Sequence, residues 1–136
     1  MFTRIYSNIL TLKLSQILKE LKTDLTELFA DNPELLFKCE FVLEELLTNS
    51  FTHVPPTDSI DMHIQLTIDH ERLYLEYREI GVEKIDFSHL LLAGQNNADE
   101  ISVDKSGGLG LHLINQMVKE FSCRQDNKTR VFNIFL

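Results

Sequence analysis

The sequence predicts an α+β protein, a two-layer sandwich in which helices cover one face of a mixed, mostly antiparallel sheet. Three observations carry that reading. Two long stretches of helical periodicity come first in the chain. From Ile60 onward the apolar residues switch to alternate positions. Helices and strands are also grouped rather than alternating one for one, as a doubly wound parallel sheet would require. The 136 residues, 43% of them hydrophobic, form one domain spanning residues 1–136 with enough apolar material for a core.

Phe2 to Ser7 opens the chain as a short strand. Leu14, Ile17, Leu18, Leu21, Leu25, Leu28 and Phe29 then recur at helical spacing and define a first helix. Asp31-Asn32-Pro33 ends it and starts a second, with Pro33 at a tolerated first helical position and Asn32 or Asp31 as cap. That second helix runs to about Thr52, before Val54-Pro55-Pro56, and buries Leu35, Leu36, Cys39, Val42, Leu43, Leu46 and Leu47. Ile60, Met62, Ile64, Leu66 and Ile68 alternate with polar residues, the signature of a half-buried strand. Asp69-His70-Glu71 turns the chain into a return strand through Leu73, Leu75 and Tyr77. A short apolar piece, Phe87 to Ala93, precedes a long polar stretch whose length fits a lid over a site better than a passive link. A glycine-led helix follows, then two strands, Phe121 to Gln125 and Arg130 to Leu136, around Asp126-Asn127-Lys128.

A net charge of −8 argues against direct DNA binding or attraction to an anionic membrane. No apolar run approaches the roughly 20 residues that span a bilayer, and the N-terminus lacks a signal-peptide core, so a cytoplasmic protein is expected. Cys39 and Cys123 have no metal-ligand spacing and read as buried free thiols. Nor do the histidines show ligand spacing.

Three places carry chemistry. Gly107-Gly108-Leu109-Gly110-Leu111 opens an amphipathic helix, and the first N–H groups of a helix have no intrahelical partner, so this run is either a phosphate cradle or a plain turn. On the second helix, at about 100° per residue, the apolar stripe is centred near Cys39, Leu43 and Leu46. Glu44 falls well away from it, while Glu45 and Asn49 sit one turn apart on its border, facing either a cleft or water. On the return strand, Glu79 shares the inward face with Leu73, Leu75 and Tyr77. A buried carboxylate needs a partner; Arg78 points to the opposite face, and a ligand amino group is one candidate. Gly81, just beyond, lets a ligand ring lie close to the backbone.

The order of these features resembles the GHKL ATPase/kinase superfamily with its Bergerat ATP-binding fold, and most closely the histidine-kinase-like serine-protein kinases that act as anti-sigma factors. Glu45-Leu46-Leu47-Thr48-Asn49-Ser50 is similar to the family's N box, and Gly107 through Ile114 to its second glycine box. The resemblance implies ATP and Mg²⁺ as cofactors. It implies Asn49 as a ligand of the metal, Glu45 as general base, and Gly107, Gly108, Gly110 and Leu111 around the phosphates. Residues 93–106 would be the ATP lid, Glu79 would accept a hydrogen bond from the adenine amino group above Gly81, and Asn133 would stand where the family has a threonine. Implied partners are a sigma factor or analogous target, a STAS-domain anti-anti-sigma protein and a second copy in a homodimer.

The chain departs from the family in reading Glu79-Ile80-Gly81-Val82-Glu83 where the family has Asp-x-Gly-x-Gly. The acid is one methylene longer, and the second glycine is charged. Two readings therefore stand: a serine-protein kinase, or a non-catalytic switch of the same fold that binds a partner with weak or no nucleotide turnover.

Overall fold

A computed structural model describes residues 2–53, 60–69, 72–81 and 108–136. The elements in order are β1 (Phe2–Tyr6), a 3₁₀ turn (Ile9–Thr11), α1 (Leu14–Leu28), α2 (Pro33–His53), β2 (Asp61–Asp69), β3 (Arg72–Ile80), α3 (Gly108–Met117), β4 (Glu120–Asp126) and β5 (Thr129–Phe135). The expected apolar piece at 87–93, the lid at 93–106, Glu83 and Gly107 lie outside the described residues.

The strands form one five-stranded sheet in the order β1-β2-β3-β5-β4. Where a mixed sheet was expected, every pairing among the described strands is antiparallel. Two of these pairings join strands close in sequence, and β4 turns into β5 through Asn127, whose φ of 52° suits an asparagine in a tight turn. The β3–β5 pairing brings together segments far apart in the chain.

The helices lie on one face, with α1 against α2 and α2 against α3. Ile17, Leu21 and Leu25 from α1, Phe29 just past its end, and Cys39, Val42, Leu43, Leu46 and Leu47 from α2 bury against the inward rows of the strands. Asn32, not Asp31, caps α2: its Oδ1 accepts from the N–H of Leu35 at 3.1 Å. Periodicity overreached at two element ends. Leu28 is 46% exposed on the last turn of α1, and Ile68 is 64% exposed, past the edge of the helical layer. It also gave no sign of the 3₁₀ turn, where Ile9 is fully buried and its N–H bonds to the carbonyl of Ile60 at 2.8 Å. Cys39 and Cys123 are free thiols. Burial pushes the first up to about 12 and the second up to about 11, so both stay protonated and inert at neutral pH. No described helix is long and apolar enough to cross a membrane.

Candidate functional site

The first cluster forms where α2 passes the start of α3. Glu45 and Asn49, four residues apart on α2, share one flank and are both half-buried, whereas Glu44 is exposed. Because α3 begins at Gly108, the N–H groups of Gly108, Leu109 and Gly110 have no acceptor within the helix and stand at its positive end. Gly110 abuts Glu45: a β-carbon there would fall on the carboxylate, 2.8 Å from Cδ. Close approach, rather than an unusual φ, is what a side chain here would meet, and it would have to push the Glu45 carboxylate aside. Burial, and secondarily the charge of Glu44, raises the Glu45 carboxyl above its ordinary value. Among the described residues, neither Glu45 nor Asn49 makes a side-chain hydrogen bond or ion pair. A base and an amide oxygen thus stand ready beside a helix start.

The second cluster is built by the β3–β5 register, which sets Glu79 directly opposite Arg130 on the inward face. Glu79 is 0% and Arg130 3% exposed. Arg130 Nε and Nη2 each lie 2.6 Å from Glu79 Oε1, and the guanidinium also sits over the Phe132 ring at 5.6 Å. On the other oxygen, Ser50 Oγ approaches Glu79 Oε2 at 2.7 Å. Ser50 has one proton and also lies 3.0 Å from the carbonyl of Leu46, but a carboxylate is the stronger acceptor. Tyr77 OH lies 2.7 Å from Ser50 Oγ and 2.9 Å from Met62 Sδ; the hydroxyl oxygen is the stronger acceptor, so Tyr77 donates to it, giving a chain of bonds from Tyr77 through Ser50 to Glu79. Burial first, and the charge of Glu79 second, holds the Tyr77 phenol well above its usual value.

The expected site residues fall into place unevenly. Glu45 and Gly110 meet, with Asn49 one turn along α2 from Glu45 and Gly108 two residues before Gly110 on α3. Leu111 does not line a site with its side chain, which is 3% exposed and packed in the core because it lies on the inward stripe of α3. Asn133 is a correction. Alternation along β5 turns it to the outer face of the sheet, opposite Glu76, where its Oδ1 accepts from Tyr74 OH, so it cannot edge a pocket at Glu79. Gly81 follows β3 with φ 101°, a conformation that favours glycine, and its N–H bonds to the carbonyl of Lys128 at 2.7 Å. Arg130 and Ser50 escaped the sequence reading. Arg130 was findable, since the alternation that turns Phe132 and Ile134 inward turns Arg130 inward too, and an inward arginine on a strand near an inward glutamate is a pair.

The model of one protein family, the histidine kinase-like ATPase domain, matches residues 13–133. The chain belongs to that family. No curated protein matches the chain closely enough to stand as a relative. The match runs from the start of α1 into β5, so both clusters of this ATPase domain lie inside it.

Membership in a histidine kinase-like ATPase family implies an ATP site and the Mg²⁺ that accompanies ATP. The Glu45–Gly110 end fits. Its helix start suits phosphate oxygens, and the Asn49 amide suits a Mg²⁺ that takes its other oxygens from phosphates and water. The Glu79 end does not fit a bond to the adenine amino group in this arrangement, because the carboxylate is wholly buried between Arg130 on Oε1 and Ser50 on Oε2.

Proposed function

We propose that this ATPase domain is an ATP-binding regulator of the anti-sigma-factor type, a serine-protein kinase that phosphorylates a STAS-domain antagonist and holds a sigma factor or analogous target. What supports the reading most is the Glu45 carboxylate seated against Gly110 at the start of α3, with Asn49 one turn along. Mg²⁺, when bound with ATP, would neutralise charge on the phosphates. The N–H groups of Gly108, Leu109 and Gly110 would fix the phosphate oxygens at the positive end of α3. Glu45 would take the proton of the attacking serine hydroxyl as the new bond to the γ-phosphorus forms and the bond to the ADP oxygen breaks. A raised carboxyl is the stronger base for that step once ionised. The edge position of β1, with Ile5 exposed on it, supports a homodimer.

Titrating Mg-ATP into the purified protein, followed by transfer of labelled γ-phosphate to a STAS protein, tests this reading. Binding that survives Glu45→Gln while transfer disappears is the expected result. No heat and no thermal stabilisation at millimolar Mg-ATP would sink it.

One observation favours the non-catalytic switch instead. The Glu79–Arg130 pair closes the acid off from a base, and a domain that holds nucleotide loosely is free to act through partner binding alone.

A further inference from the structure

We infer that Arg130 is a specificity-determining residue: by committing Glu79 to the fold, it removes selection for adenine, so that this domain takes nucleoside triphosphates by their phosphates with little preference between adenine and guanine. The inference rests on the ATP-binding reading above for its ligand, but its structural half stands on the Glu79–Arg130 pair itself.

A free carboxylate at the base end of such a site discriminates in two ways. It accepts a hydrogen bond from the amino group of adenine, and it repels the carbonyl oxygen that guanine carries at the same ring position. Here neither effect is available. Arg130 Nε and Nη2 converge on Oε1 at 2.6 Å and Ser50 occupies Oε2 at 2.7 Å. The guanidinium cancels the charge that would repel guanine, and Glu79 presents no surface to a ligand. The partner is built in rather than incidental. Arg130 is the cross-strand neighbour of Glu79, stacks over Phe132, and reaches the acid from a β5 position whose alternation points it inward.

Titrations of Mg-ATP and Mg-GTP into wild type, Arg130→Lys and Arg130→Met test the functional half. Wild type should bind the two nucleotides within about threefold of each other. Arg130→Lys keeps a cation on Glu79 and should behave the same. Arg130→Met keeps apolar volume over Phe132 but releases the acid, and ATP should gain at least about tenfold over GTP. A wild-type preference for ATP of more than about tenfold, or an Arg130→Met protein with wild-type base preference, overturns the inference.

Thermal unfolding tests the structural half whether or not nucleotide binds, using Glu79→Leu, Arg130→Met and the double variant. Each single change strands a buried partner and should lower Tm by about 10 °C. The double change, which removes both charges together, should recover most of that loss. Additive losses would show that Glu79 and Arg130 are not committed to each other and overturn the inference. Absence of any nucleotide binding would sink the ATP-binding reading, and the unfolding cycle would still decide whether the acid is spoken for.

Discussion

Gly110 is a glycine because Glu45 already fills the space its β-carbon would need. The two residues belong to helices far apart in sequence, and their contact sets a carboxylate beside the start of α3, whose first N–H groups have no acceptor within the helix.

Gly110→Ala should leave stability almost unchanged, because the colliding group is the free end of a flexible side chain and alanine gains up to about 1 kcal/mol over glycine within a helix. The carboxylate, however, has to leave its place. Phosphoryl transfer should fall by about tenfold or more while Tm moves by only a few degrees, a split read by pairing a transfer assay with thermal unfolding.

Glu45 should give the rate an acidic limb. A general base works only when ionised, so transfer must rise as pH passes upward through its folded value, which burial has raised. The limb should therefore lie above the ordinary glutamate range of about 4.3. The same shift predicts a stability effect of opposite use: a raised carboxyl penalises the fold above the raised value and not below the unfolded one, so Glu45→Gln should raise Tm at pH 7 and lose that gain in acid. A limb at or below the ordinary range would remove Glu45 from the proton transfer.

Asn49→Ala should weaken Mg-ATP binding and blunt its dependence on Mg²⁺. Titrations with and without the metal read this directly. Equal metal dependence in the variant and wild type would take Asn49 out of the metal's shell.

Ser50→Ala should be costly for so small a change. It leaves Glu79 Oε2 without its donor and Tyr77 OH with the weak acceptor Met62 Sδ in a buried setting, a loss of about 1–3 kcal/mol. Denaturant unfolding should show a lower midpoint with an unchanged slope, and a midpoint equal to wild type would mean that Ser50 donates to the Leu46 carbonyl instead.

Alternation and helical spacing made most of the fold legible, because both record which face is buried. They placed both long helices, the β2–β3 hairpin and the β4–β5 pair within a residue or two, and they turned Glu79 inward and Glu44 outward. They failed where burial depends on the reach of another layer, as at Leu28 and Ile68. They are also silent on pairing between distant strands. Nothing local says that β5 inserts beside β3, so the sequence offered Glu79 a ligand for a partner and set Asn133 at the pocket's edge, whereas the register supplies Arg130 and turns Asn133 to the outer face. The Glu45–Asn49 flank was legible because four-residue spacing on a helix needs no knowledge of the rest of the chain. That Gly110 would meet Glu45 was not, since it depends on how two helices cross.

The β3–β5 pairing also orders events in time. Glu79 and Arg130 are 51 residues apart, and joining them closes one of the long loops of the chain, a slow step in folding. Before β5 docks, β3 lacks a neighbour and Glu79 has no cation. Completing the sheet and neutralising the acid are then one event, so the carboxylate enters the interior together with its cation.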